Sequence, residues 1–153
     1  MKIEEKIKEL GIEIPEAAAP AAMYVPVKKT GNLLFISGQI PVKAGVMQFC
    51  GKAGKERTLE EAQEAARLCA INIIAAVKSF TGDLDKVSSI VKITCFVASE
   101  TGFDKQHLVA NGASELLFDV FGEAGRHTRS AVAVNQLPLD ATVEVEAIIE
   151  IAE

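Results

Sequence analysis

Arg129 and Glu144 are the residues of this chain whose types and settings most invite chemistry. Arg129 opens the apolar, partly β-branched run Ser130-Ala131-Val132-Ala133-Val134, and Glu144 stands inside Val143-Glu144-Val145-Glu146-Ala147-Ile148-Ile149-Glu150. Charges are costly in such strand-like surroundings unless they have a task. The pair suggests a site for a small carboxylated molecule. The bland alternative makes Arg129 a solvated strand-end charge and Glu144 one member of a polar face shared with Glu146 and Glu150, the reading that suits the latter two.

The elements that must position these residues follow from pattern. Ile3, Ile7 and Leu10 recur at helical spacing before Gly11, predicting a short first helix. Pro15 and Pro20 bracket an extended connector, and the body of the fold begins at about residue 23, giving an N-terminal segment 1–22 and a domain 23–153. Tyr24 to Lys29 and Leu33 to Ser37, separated by Thr30-Gly31-Asn32, read as a hairpin. Lys43 to Arg57 is a glycine-punctuated loop, with a short strand expected at Val46 to Cys50. Thr58-Leu59-Glu60-Glu61 is a capping box that starts a helix whose stripe is Ala62, Ala65, Ala66, Cys69, Ile73 and Val77, with Thr81-Gly82 as its exit. Ile90 to Val97 is a strand and Lys105 to Phe121 a second long helix, weakened by about 1 kcal/mol for the glycine of Asn111-Gly112. Strands Ser130 to Gln136 and Val143 to Ile151 complete an α+β layer, two helices on one face of a sheet.

Composition excludes several classes. A chain of 153 residues with 49% apolar and 24% charged content forms one folded domain and no disordered polymer. No apolar run reaches the roughly 20 residues that span a bilayer, and the charged amphipathic start has no export signature, so a cytoplasmic location without membrane contact is expected. Cys50, Cys69 and Cys95 are odd in number and widely spaced, which suits neither a disulfide framework nor a metal cluster. A net charge of −5 with no Trp and one Tyr argues against nucleic acid as a partner.

Two geometric problems remain in the sequence. Two helices cover one sheet face, yet Ile148 points an apolar side chain to the other, so an oligomer whose sheets meet is the economical cover. If the last two strands formed a hairpin, Glu144 would lie near Asn135 and Arg129 roughly 20 Å further along, at about 3.3 Å per residue. Either the final strand pairs elsewhere or Glu144 meets the arginine of a neighbouring subunit.

Ile36-Ser37-Gly38-Gln39-Ile40-Pro41-Val42, the strand Ile90 to Val97, and Thr128-Arg129-Ser130 through Leu137-Pro138 to Val143-Glu144-Val145-Glu146-Ala147 together resemble the YjgF/RidA family of reactive intermediate deaminases, from about Tyr24 to Ile151. The resemblance implies a chorismate-mutase-like α+β fold with the last strand inside a mixed sheet, and a homotrimer with clefts between subunits. By position it implies that Arg129 holds a substrate carboxylate, Glu144 positions water, Tyr24 lines the cleft, Ser37 and Gly38 form the strand end beside it, and Asn111 is a helical asparagine of the site. A guanidinium grips a carboxylate through two parallel hydrogen bonds, and Glu144 as general base would activate the water that attacks the C=N carbon of a 2-imino acid. No metal or organic cofactor is implied.

The chain departs from the family pattern at Ala131, where many relatives carry cysteine, and at His127-Thr128, where proline and alanine are usual. His127 is a minor candidate for the pocket rim. The first helix and the 43–57 loop mark a longer branch. Three activities follow as expectations: an enamine/imine deaminase, a non-catalytic trimer that binds small carboxylates such as 2-oxo acids, and, disfavoured by the acidic charge, an endoribonuclease.

Overall fold

Ile3 and Ile7 turn one side of the first segment apolar, and in the computed structural model of the chain Lys2–Glu9 forms helix α1, with Gly11 at φ 69° after it. The structure describes residues 2–19 and 22–153; Pro20, the far bracket of the expected connector, lies outside them. Beyond the connector Val27–Thr30 (β1) and Leu33–Gln39 (β2) form the expected hairpin, its turn carried by Gly31 at φ 56°, but β1 starts three residues later than expected and leaves Tyr24 in the segment before it. The 43–57 region is less open than its composition suggests. Val42–Lys43 (β3) and Val46–Met47 (β4) close a small hairpin over Ala44 and Gly45, both at positive φ, and Cys50 makes only an isolated bridge to Ala141.

Thr58 and Glu61 exchange the two hydrogen bonds of a capping box, each 3.1 Å, and Leu59–Thr81 forms helix α2, ended by Gly82 in the left-handed conformation. Val87–Ala98 (β5), Gln106–Phe121 (α3), Thr128–Val134 (β6) and Val143–Ile151 (β7) complete the fold.

The five-stranded sheet runs in the order β1-β2-β7-β5-β6, antiparallel except for the β5–β6 pair. The final strand therefore lies between β2 and β5 and makes no hairpin with β6. This removes the hairpin alternative: Glu144 is aligned with Phe96 of β5, not with Asn135.

Val143, Val145, Ala147, Ile149 and Ile151 of β7, with Ile93, Cys95 and Val97 of β5, are buried under α2 and α3. Ala62, Ala65, Ala66 and Ala70 let α2 lie close to the sheet. The helices also approach each other closely at Gly112: a Cβ there would stand 2.0 Å from the backbone oxygen of Gln63. Gly112 is thus a packing requirement rather than the weak point its helix propensity suggests.

α1 joins the helical side. Its first amides, Lys2 and Ile3, donate to Asp85 at 2.9 Å each, Glu4 pairs with Lys78 of α2 at 3.5 Å, and Ile7 is buried. The sheet face turned away from the helices carries Phe35 opposite Ile148, along with Phe96 and Val132; Phe35 and Val132 are 42% and 43% exposed. The expected uncovered apolar face is present. Among the described residues, no helix is long and apolar enough to cross a membrane.

Candidate active site, divided over two faces of the sheet

Arg129 enters on β6 in register with Ile93, so its side chain leaves the sheet on the helical side, at the edge. There it meets α3. Nη1 donates to Asn111 Oδ1 (2.8 Å) and to Ser114 Oγ (3.0 Å), and Nη2 donates to the carbonyl of His107 (3.0 Å). Three of the five guanidinium donors are thereby used within the described residues, leaving Nε–H and one Nη2–H. The helical spacing of His107, Asn111 and Ser114 puts all three acceptors on the side of α3 that faces the sheet edge.

Ser114 is held in turn. Its Oγ lies 2.8 Å from His127 Nε2, and His127 Nδ1 lies 2.7 Å from the carbonyl of Gly125. A carbonyl only accepts, so Nδ1 carries the proton, and in the neutral ring Nε2 then accepts from the serine hydroxyl. Burial pushes the His127 pKa down, against the Gly125 hydrogen bond, and the Arg129 charge acts with the burial. The neutral ring suits this arrangement. An open groove of about 490 Å³ runs past Arg129, His127 and Ser114 to the exposed ring of Phe118, over which Arg126 sits 5.4 Å from the centroid.

Glu144 sits elsewhere. It alternates with the buried Val143 and Val145, so it projects from the sheet face away from the helices. Its carboxyl lies against Gly38, where a Cβ would stand 2.7 Å from Oε1. The β2–β7 register is broken between Ile36 and Gln39, and this irregularity presents Gly38 to the carboxylate. Ser37, next to it, donates from Oγ to Val25 O and from its amide to Pro26 O, both at 2.9 Å, which ties the segment before β1 to the sheet. Tyr24 stands in that segment, 56% exposed. Burial raises the Glu144 pKa above the ordinary carboxylate value, and the Glu146 charge raises it further.

The six residues singled out in the sequence therefore fall into two groups. Tyr24, Ser37, Gly38 and Glu144 gather around the β2–β7 junction, and Arg129 with Asn111 forms a second group at the β6 edge. Three residues along the strand and two strands across separate Glu144 from Arg129, roughly 14 Å between their backbones, and their side chains leave opposite faces. One chain does not bring them to one ligand.

Ser114 is not among the residues that the sequence singles out. Its signal is its place three residues beyond Asn111 on the same helical face, a spacing that selects nothing until the arginine is known to reach that helix. His127 belongs to the arginine group through Ser114, and His107 contributes its backbone carbonyl rather than its ring. Cys69 and Cys95 are core: burial pushes the Cys95 thiol up to about 12 and raises Cys69 well above its usual value.

Residues 4–151 match the family described as "YjgF/chorismate_mutase-like, putative endoribonuclease". Protein TCP17 of Trypanosoma cruzi is 44% identical over 98% of this chain and 94% of its own. The crystal structure of the protein Atu1372 from Agrobacterium tumefaciens, described as of unknown function, shares 48% identity with a TM-score of 0.92, over 98% of this chain and 92% of that one. The protein named "Putative reactive intermediate deaminase TdcF" of Escherichia coli is 33% identical over 90% of this chain and 93% of its own. A structure of TdcF with bound serine has a TM-score of 0.66, covering 90% of this chain and 94% of that one.

Proposed function

From a chain that belongs to the YjgF/chorismate_mutase-like family, we infer an enzyme that hydrolyses reactive 2-imino acids of the 2-aminoacrylate type to 2-oxo acids and ammonia in the cytoplasm. The observation that carries this reading is the state of Arg129. A guanidinium fixed by three acceptors, with two donors left over among the described residues, is preorganised to hold a carboxylate.

Glu144 supplies the second part. With its pKa raised by burial it is a better proton acceptor than an ordinary surface carboxylate, and it is the group we assign to take a proton from the attacking water. Water adds to the C=N carbon, the nitrogen is protonated, and the tetrahedral adduct collapses to the 2-oxo acid with loss of ammonia. Tyr24, Ser37 and Gly38 would line the cleft around the reacting carbon, and Asn111 would steady the arginine.

Because Arg129 and Glu144 leave opposite faces of the sheet, the reading places the complete site between subunits of a homotrimer, the β6 edge of one copy meeting the Glu144 group of the next. The uncovered Phe35, Phe96, Val132 and Ile148 give that assembly an apolar surface to bury.

The test is ammonia release from 2-imino acids generated in situ by an amino-acid oxidase. Acceleration by the wild-type protein that is lost in Arg129→Ala supports the deaminase; no acceleration with any imino acid rejects it. The serine held in the TdcF structure favours a second reading, binding of small carboxylates without turnover. In that case 2-oxo acids would bind through Arg129 and no ammonia would be released. An endoribonuclease comes last, because a net charge of −5 opposes the phosphate backbone.

A further inference from the structure

We propose that Ser114 and His127 are positioning residues that set the orientation of the Arg129 guanidinium for its carboxylate. The inference rests on the reading of Arg129 as the carboxylate grip and names what holds it.

The chain of contacts runs in one direction. Arg129 Nη1 donates to Ser114 Oγ, Ser114 donates to His127 Nε2, and His127 Nδ1 donates to Gly125 O, at 3.0, 2.8 and 2.7 Å. The last acceptor is itself fixed. Gly125 is buried in the turn before β6, and a Cβ on it would stand 2.2 Å from the Leu117 backbone oxygen, so this turn is pressed directly onto α3. The network therefore begins on β6, crosses to α3, and ends on a backbone carbonyl with little freedom to move.

Asn111 alone leaves an alternative. Its amide and the His107 carbonyl supply two acceptors, yet rotation about the Cζ–Nε bond would still exchange the guanidinium hydrogens between them. The third acceptor, Ser114 Oγ, fills the second Nη1 donor and closes that exchange. A serine hydroxyl is a rotor, and the neutral imidazole gives its proton a single destination, which turns its lone pairs toward the arginine.

The Ser114–His127 pair is not a nucleophile and base. Ser114 lies in the interior of α3, where backbone amides are taken by the helix and none is free to stabilise an oxyanion, and its oxygen is already an acceptor of Arg129. Positioning is the chemistry left to it.

The experiment compares Ser114→Ala, His127→Leu and His127→Gln with the wild type. Glutamine offers an amide N–H for Gly125 and a carbonyl for Ser114, so it can replace the ring's two hydrogen bonds; leucine cannot. Alanine inside a helix is tolerated well, which keeps Ser114→Ala folded. For turnover of a 2-imino acid, KM should rise roughly tenfold in Ser114→Ala and His127→Leu with kcat changed by less than about twofold, and return toward wild type in His127→Gln. NMR of the ¹⁵N-labelled Arg129 side chain should show slow rotation about Cζ–Nε in the wild type and His127→Gln, and fast rotation in the other two. Wild-type rotation and wild-type KM in Ser114→Ala and His127→Leu overturn the proposal. Absence of turnover and of 2-oxobutanoate binding in the wild type counts against the function, while the guanidinium rotation still decides the positioning role.

Discussion

The carboxyl of Glu144 occupies the space that a side chain on Gly38 would need: a Cβ there falls 2.7 Å from Oε1 and 2.8 Å from Cδ. The colliding atoms belong to the mobile end of a side chain, so Gly38→Ala should leave folding nearly intact and displace the carboxylate. We expect kcat for imine hydrolysis to fall on the order of 100-fold, as for a base moved by about 1 Å, with a thermal midpoint close to wild type. A wild-type rate in Gly38→Ala would remove Glu144 from the reaction.

In the proposed reaction the raised pKa of Glu144 should set the acid side of the pH profile. A general base acts only when ionised, so kcat/KM should climb with pH through the Glu144 pKa and then level. Burial is the main cause and cannot be removed by one substitution, but the second cause can. Glu146→Gln takes away the neighbouring negative charge and should move the acid limb to lower pH, whereas His127→Gln should not move it. The linkage to folding has the opposite sense. The folded chain holds the Glu144 proton more tightly than the unfolded chain does, so this group costs stability as pH rises from 4.5 through its native pKa.

Separation of Arg129 from Glu144 on opposite sheet faces makes a complementation test available. Arg129→Ala and Glu144→Gln should each be inactive. If the proposed trimers of the two variants are dissociated, mixed in equal amounts and reassembled, they should recover up to about a quarter of the wild-type rate, since half of the copies keep the arginine, half keep the glutamate, and the two must be neighbours. No recovery from a reassembled mixture would mean that the two residues do not share a site across subunits.

Gly112 predicts a change in stability rather than in charge. Gly112→Ala puts a methyl 2.0 Å from the Gln63 carbonyl oxygen, a backbone atom that moves only with the whole of α2. The gain in helix propensity is small beside that overpacking, and we expect a loss of about 1–3 kcal/mol, measured as a lowered urea midpoint. Asn111, its neighbour, should shift as well and weaken carboxylate binding.

Local signals in the sequence were the dependable ones. The strand Val143–Ile151 has the bounds its alternation predicts, and the Thr58–Glu61 box starts its helix where expected, because both are set by neighbours in the chain. β6 begins two residues earlier than expected and ends sooner, and β4 is shorter than its apolar run, since pairing partners rather than propensity fix such edges. The residue types of the candidate site stand out in the sequence, but their wiring does not. Arg129 reaches Ser114 only because β6 pairs in parallel with β5 and thereby lies beside α3, and no spacing in the sequence encodes that pairing. Gly112 departs from its expectation for the same reason: its propensity is local and its purpose, clearance for α2, is not.

The place of β7 in the sheet also governs how this protein can be made. The β1–β2 hairpin and the parallel β5–β6 pair touch in the sheet only through Val143–Ile151, the strand the ribosome delivers after all the others. Until it arrives, β2 and β5 each present an unpaired edge, with the aromatic Phe35 on one and Phe96 on the other. Insertion of one late segment between two earlier ones joins residues far apart in the chain, which slows folding and delays it until synthesis has passed Ile151. During that interval the nascent chain carries two open strand edges, each a template for pairing with another chain.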